Sequence, residues 1–223
     1  KVKDSTLNVT LEDVNIKANN DAALSVEGAG NTKITLSGSN TLTGGDGHAG
    51  LEHNEKSKDD NDDSVDTGKL TITSEKDSGI LTATGGSGAA GIGGARNNGA
   101  GIIEIAGGTI TEAIGGDGGA GIGSGANSFG TTTVNITSGT VKAQGGDYGA
   151  GIGGGDNSRN TNITISGGTI EEAVGGSTGD GIGGGNNSSN ITVTIQGGTI
   201  KKAQGGKGNF YAGHGIHSDS TLN

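Results

Sequence analysis

Residues 133–153 read TVNITSGTVKAQGGDYGAGIG and divide into three short extended segments, TVNIT, GTVKAQGG and YGAGIG. None is long enough for a helix. In the first, Val134 and Ile136 alternate with polar residues, the period-two pattern of a half-buried strand. The second carries the β-branched Val141 and then the small Ala143, which can face a crowded interior. The third offers one large apolar group, Ile152, between glycines that let a backbone turn or approach another closely.

The unit recurs. A Gly-Gly pair begins at Gly85, Gly115, Gly145, Gly175 and Gly205, 30 residues apart each time. The same period holds for Ala83, Ala113, Ala143, Ala173 and Ala203, for Ile92, Ile122, Ile152 and Ile182, and for Asn97, Asn127, Asn157 and Asn187. A fixed register of this kind means that one structural unit is stacked on itself. Less regular copies lie towards the N-terminus. Leu7–Leu11, Thr32–Leu36 and Lys69–Ile72 fit the first segment, and Ala22–Leu24 and Ala49–Leu51 fit the third. The pair at Gly44 precedes Gly85 by 41 residues, and the 11 extra residues are assigned to a loop over residues 52–66.

The expected fold is all-β: a single-stranded right-handed parallel β-helix, or β-solenoid, of about seven coils stacked ~4.8 Å apart. Residues 1–223 are read as one β-helix domain, with less regular coils over 1–51, an acidic loop insertion over 52–66 and regular 30-residue repeats over 67–223. The start on Lys1, with no methionine in the chain, reads as a segment of a longer secreted protein. Open coil ends would also allow end-to-end self-association.

Composition agrees with this architecture and excludes others. The 51 glycines come with no proline and no Gly-X-Y period, so the chain is not collagen. With 28% hydrophobic and 2% aromatic residues, a core of large side chains is not available, whereas a narrow one of Ile, Val, Leu and Ala is. A net charge of −10 disfavours nucleic acid and anionic membrane as partners. No apolar run reaches ~18 residues, so no membrane insertion is expected. The absence of cysteine removes disulfides and thiolate chemistry.

The run LNVTLEDVNIKANNDAALSVEGAGNTKITLSGSNTLTGG, residues 7–45, is followed by repeated GGTI and GAGIGGG units. It resembles bacterial cell-surface β-helix proteins of the clostridial and wider Firmicutes type, described as carbohydrate-binding domain-containing. The resemblance implies a right-handed parallel β-helix, a secreted or cell-surface location, and, as in some members, binding of acidic plant polysaccharides such as pectin together with calcium. It supplies no binding residue that could be carried over, so candidate sites come from the residues themselves.

Two groups of carboxylates make Ca²⁺ the candidate cofactor. Residues 52–66, EHNEKSKDDNDDSVD, hold seven carboxylates against Lys56 and Lys58, and Asp59, Asp60, Asp62 and Asp63 are oxygen ligands of the kind calcium takes. The EF-hand pattern is missing, and a solvated loop is the plainer reading. Asp117 and Asp147 occupy the same place on adjacent coils, with Asp180 three positions further along the next turn, so stacking would bring like charges together for a bridging cation.

Tyr148, Phe210 and Tyr211 all follow the Gly-Gly turn and should share one edge of the solenoid. Aromatic faces are platforms for sugar rings, which makes this edge the candidate carbohydrate-binding site, against incidental packing of a variable turn. No catalytic residue is assigned. His214 in the run GHGI matches a polygalacturonase motif, but GHGI is also the local GAGI or GDGI repeat with one substitution, and the paired aspartates and gripping base of such enzymes are missing beside it. The reading is a non-catalytic extracellular module that binds polysaccharide or a cell-surface glycan, or acts as an adhesin, with calcium helping it approach an acidic glycan. The alternatives are a structural stalk and, third, a pectin-degrading enzyme.

Overall fold

The alternation in the first segment produces a parallel strand at every level of the stack. In the computed structural model, which describes residues 6–55, 68–75, 78–208 and 211–219, all the regular structure is β. The first segments are Thr6–Glu12, Asn31–Ser37, Lys69–Ser74, the opening halves of Gly101–Ile114 and Thr132–Gln144, then Arg159–Ile165 and Ser189–Ile195. They pair in that order, always parallel. Like residues fall on like: Ile105 pairs with Ile136, Ile136 with Ile165, and Ile165 with Ile195. The seven levels match the expected coil count.

The second segments form the adjoining wall, from Asn15–Lys17, Ser39–Thr43 and Ile80–Thr84 through the closing halves of the two long strands to Thr169–Val174, Thr199–Ile200 and Ala203–Gln204. Ala83, Ala113, Ala143, Ala173 and Ala203 stack in register. The shorter segment carrying Val141 shows register shifts on both sides, at Ile110/Ala113 and Val141/Lys142, where an extra residue on the neighbouring strand is absorbed as a bulge. Short third segments complete each coil as a separate six-stranded sheet, in which Leu24, Leu51, Ile92, Ile122, Ile152 and Ile182 lie in one column and a bridge adds Ile216.

The three walls enclose a core in which every buried apolar residue described is Leu, Ile, Val or Ala. This is a parallel β-solenoid, the architecture the repeat predicted, with the right hand that parallel crossovers favour. The asparagines of the 30-residue repeat hold left-handed backbone, with φ of 68°, 58°, 51° and 53° at Asn97, Asn127, Asn157 and Asn187. One amide bond between them is made, from Asn157 Nδ2 to Asn127 Oδ1 at 3.4 Å. Asn160 and Asn190 form a second such step at 2.6 Å, which the repeat count did not single out.

Opposite charges alternate up the second wall. Lys142 is in register with Glu172, Lys202 is ion-paired with Glu172, and beside them Lys201 Nζ lies 2.7 Å from Glu171. The hydrogen bond from the Lys202 ammonium holds the Glu172 carboxyl below its ordinary pKa. Both side chains are more than a third exposed, so the pair specifies register more than it adds stability.

Residues 52–55, assigned to the loop by the sequence, belong to the stack. Leu51–His53 is a strand of the third wall, with Glu52 and His53 only 4% and 2% exposed. Glu52 accepts from Ala49 N at 3.0 Å and Asn54 Nδ2 at 2.9 Å, and His48 Nδ1 lies 3.0 Å away. Asn54 in turn accepts from Ala95 N at 2.8 Å, and Glu55 N donates to Gly99 O at 2.7 Å. These bonds to the next coil keep residues 52–55 in the stack despite their polarity. No helix among the described residues is long and apolar enough to cross a membrane.

His53 gives the coil a pH dependence. Burial pushes its pKa below the usual 6.5, against backbone hydrogen bonds to Ala100 and Gly68 that pull the other way. The unfolded chain therefore takes up this proton first as pH falls. The contribution to stability is complete above about 6.5 and declines below it, with a limiting slope of about 1.4 kcal/mol per pH unit. Urea unfolding between pH 7.5 and 5.5 should show a shallower loss of stability for His53→Gln than for the parent chain. Equal slopes would remove His53 from the account.

Candidate functional site at the C-terminal corner

Between the second and third walls every regular coil makes a four-residue turn closed by a backbone hydrogen bond. These bonds run from Ala89 N to Gly86 O, Gly119 N to Gly116 O, Gly149 N to Gly146 O and Gly179 N to Gly176 O, at 2.7–3.1 Å. The third residue of the first two turns is glycine, with φ of 81° at Gly88 and 80° at Gly118. In the next turn that place is taken by Tyr148, with φ 71°. A left-handed backbone costs an L-residue on the order of 1–2 kcal/mol, and a bulky aromatic lacks the local hydrogen bonds that make it tolerable for asparagine. Tyr148 is nonetheless held there, and its side chain is 44% exposed.

In the last coil the turn is wider. Gly213 N donates to Gly206 O at 3.0 Å, so the closing bond now spans seven residues instead of three and the chain gains four residues at this corner. Tyr211 lies in that extension and is 77% exposed. Tyr148 and Tyr211 line a cleft of about 580 Å³ together with Ser177, Thr178, Asn186 and Lys207. The expected aromatic edge thus brings Tyr148 and Tyr211 to one cleft, while Phe210 lies outside the described residues. Lys207 supplies a cation in a chain of net charge −10.

A second hollow of about 320 Å³ adjoins the first, sharing Thr178, Asn186 and Tyr211, and is floored by Asp180, His214 and His217. Asp180 stands where the preceding coils have Ala120 and Ala150, and is 4% exposed. Its carboxylate accepts from His214 N at 2.7 Å and Gly184 N at 2.9 Å. The imidazoles complete the shell, with His214 Nδ1 at 3.2 Å from Oδ1 and His217 Nδ1 at 3.1 Å from Oδ2. The two rings lie 4.8 Å apart, and His217 Nε2 is 3.7 Å from Asp219.

Asp180 is not grouped with Asp117 and Asp147 as stacking alone suggested. Those two are exposed on the turns, where Asp147 Oδ1 accepts from Ser177 Oγ at 3.2 Å, whereas Asp180 points under the corner towards the last coil. Among the described residues the carboxylate and imidazole groups with metal-ligand spacing are Asp180, His214 and His217. Asp59, Asp60, Asp62 and Asp63 lie outside the described residues. The signal for Asp180 and His214 was present as two successive departures from one repeat, GDGI at 179–182 and GHGI at 213–216, where the two preceding coils have GAGI.

A third hollow, about 240 Å³, lies over the alternating charges Glu112, Lys142, Glu172 and Lys202. Its charges are already matched to one another, which leaves little for a ligand to neutralise.

The chain matches the model of the beta helix repeat family over residues 134–156, 163–186 and 193–220. No curated protein and no solved structure matches it. The matched segments are C-terminal coils of the stack, and the match together with the strand topology supports a parallel beta-helix.

Proposed function

We propose that this domain is a non-catalytic polysaccharide-binding or adhesive module of a secreted or cell-surface protein, and that the edge carrying Tyr148 and Tyr211 is where the glycan lies. The observation that carries this reading is Tyr148 itself. Its counterparts in the preceding coils are glycines, and a tyrosine held with φ 71° and exposed beside a second exposed tyrosine reduces stability without contributing to the core. A pair of aromatic faces along an open cleft suits stacking on pyranose rings, with Asn186, Ser177 and Lys207 placed for hydroxyl or carboxylate groups. Lys207 favours an acidic glycan, for which calcium at exposed carboxylates is a further source of positive charge.

The test is binding to acidic and neutral polysaccharides by pull-down and calorimetry, with and without EDTA. Tyr211→Ala and Tyr148→Gly should each weaken binding roughly tenfold, the effect of losing one stacked ring worth about 1.4 kcal/mol. Tyr148→Gly should at the same time leave the fold as stable as the parent, or more stable by up to about 1 kcal/mol, because the left-handed strain is relieved while glycine loses more entropy on folding. Binding unchanged in both variants would overturn the assignment of the edge. No binding to any polysaccharide by the parent chain would leave a structural stalk as the reading of the fold.

A further inference from the structure

We infer that Asp180, His214 and His217 bind one divalent transition-metal cation of the zinc class, which clasps the terminal segment 211–219 to the coil beneath it. The first support is a paired break in the repeat. Ile182 and Ile216 bridge in register, so Asp180 and His214, each two residues earlier, occupy the same place on consecutive levels where Ala120 and Ala150 stand below. Replacing alanine by a carboxylate at a position 4% exposed is costly to the fold unless the charge is compensated. Two backbone N–H groups and the two imidazole Nδ1 contacts compensate it in part, and a cation held between carboxylate and imidazoles would complete the neutralisation.

Geometry is the second support. Four ligands at 2.0–2.1 Å around zinc lie about 3.3 Å from one another. His214 Nδ1 stands 3.2 Å from Asp180 Oδ1 and His217 Nδ1 3.1 Å from Oδ2, and one donor atom from each of the three residues falls within 4.8 Å of the other two. The imidazoles are 67% and 40% exposed, so a small side-chain rotation closes the set around an ion. Three protein ligands leave a fourth position facing the hollow that adjoins the tyrosine cleft.

Donor chemistry selects the ion. Two imidazole nitrogens and one carboxylate suit zinc, copper or nickel, whereas calcium takes six to eight oxygens, which the described residues of this corner do not offer. The clasp has a structural consequence. Segment 211–219 already meets the exposed edge of Ser189–Ile195, where Asp219 accepts from Ile191 N at 2.8 Å and Ser218 Oγ from Val193 N at 3.1 Å. A metal at His214 and His217 would hold these edge-capping groups in place.

The experiment uses the chain without a histidine tag, stripped with EDTA and titrated with Zn²⁺ and separately with Ca²⁺, read by calorimetry and thermal unfolding. One equivalent of Zn²⁺ should bind and raise Tm by at least about 3 °C, whereas any response to Ca²⁺ should be the same in the parent chain and in the site variants below. Co²⁺ should give the visible absorption of a tetrahedral site. His214→Ala with His217→Ala should abolish both effects, as should Asp180→Ala, which restores the alanine of the two preceding coils and so preserves their packing. Absence of Zn²⁺ binding in the parent chain, or an undiminished Tm shift in these variants, would overturn the assignment. No polysaccharide enters this titration, so its outcome is independent of whether the tyrosine edge binds one.

Discussion

Gly123→Ala should lower stability by roughly 4 kcal/mol, a large share of the 5–15 kcal/mol that holds a domain folded. Gly123 has φ 141°, a conformation that L side chains rarely adopt, and an added Cβ would land on the carbonyl oxygen of Gly153 in the next coil. That oxygen is not free to retreat, because it accepts the hydrogen bond from Ser124 N at 3.0 Å that helps set the spacing of the two coils. The strain of the backbone and the clash therefore add, and relieving one by separating the coils breaks parallel hydrogen bonds along the whole third wall. Gly107→Ala is the contrasting case. Its nearest contact would be the Thr73 hydroxyl at 3.3 Å, a side chain that can shift, and the cost should stay below about 1 kcal/mol. Urea unfolding of the two variants beside the parent measures the difference. Indistinguishable midpoints would mean that close stacking of the coils is not what this glycine serves.

Ile122→Ala, one residue earlier on the same level, should cost about 3 kcal/mol for a different reason. Ile122 is wholly buried, with Ile92 in register in the coil below and Ile152 in the coil above. Truncation removes three carbons from a narrow core and leaves a void that the walls cannot close, since the coils on either side are held apart by their own hydrogen bonds at ~4.8 Å. Ile102→Ala on the first wall removes the same atoms from a side chain 38% exposed, and should change stability by much less. Thermal and urea unfolding should rank the two clearly. Similar losses would show that the column at Ile122 relaxes freely.

The walls and their register were legible because each coil repeats the same local pattern at a fixed distance. Val134 and Ile136 predict one strand, and the 30-residue spacing predicts what lies above and below it. The aromatic edge was legible for the same reason, since Tyr148 and Tyr211 both follow the Gly-Gly turn. The backbone strain at Tyr148 was not, because the sign of φ comes from how the turn is closed. The paired Asp180 and His214 were obscured by the four extra residues between Gly206 and Gly213, which shift His214 to 34 positions after Asp180 instead of 30. Counting by the period aligns Asp180 with residue 210, whereas the bridge from Ile182 to Ile216 aligns it with His214.

Taken alone, then, the sequence determined that this chain stacks as a parallel β-solenoid with a core of small and branched aliphatic residues. Period-two alternation, glycine turns and a constant repeat length act locally and identically in every coil. Only the tertiary structure decided which polar residues meet. Side chains from successive coils share a site according to backbone hydrogen bonding between them, and at the widened last turn that pairing departs from the count of residues. It brings the Asp180 carboxylate beneath two imidazoles, and leaves Asp117 and Asp147 exposed on the turns below.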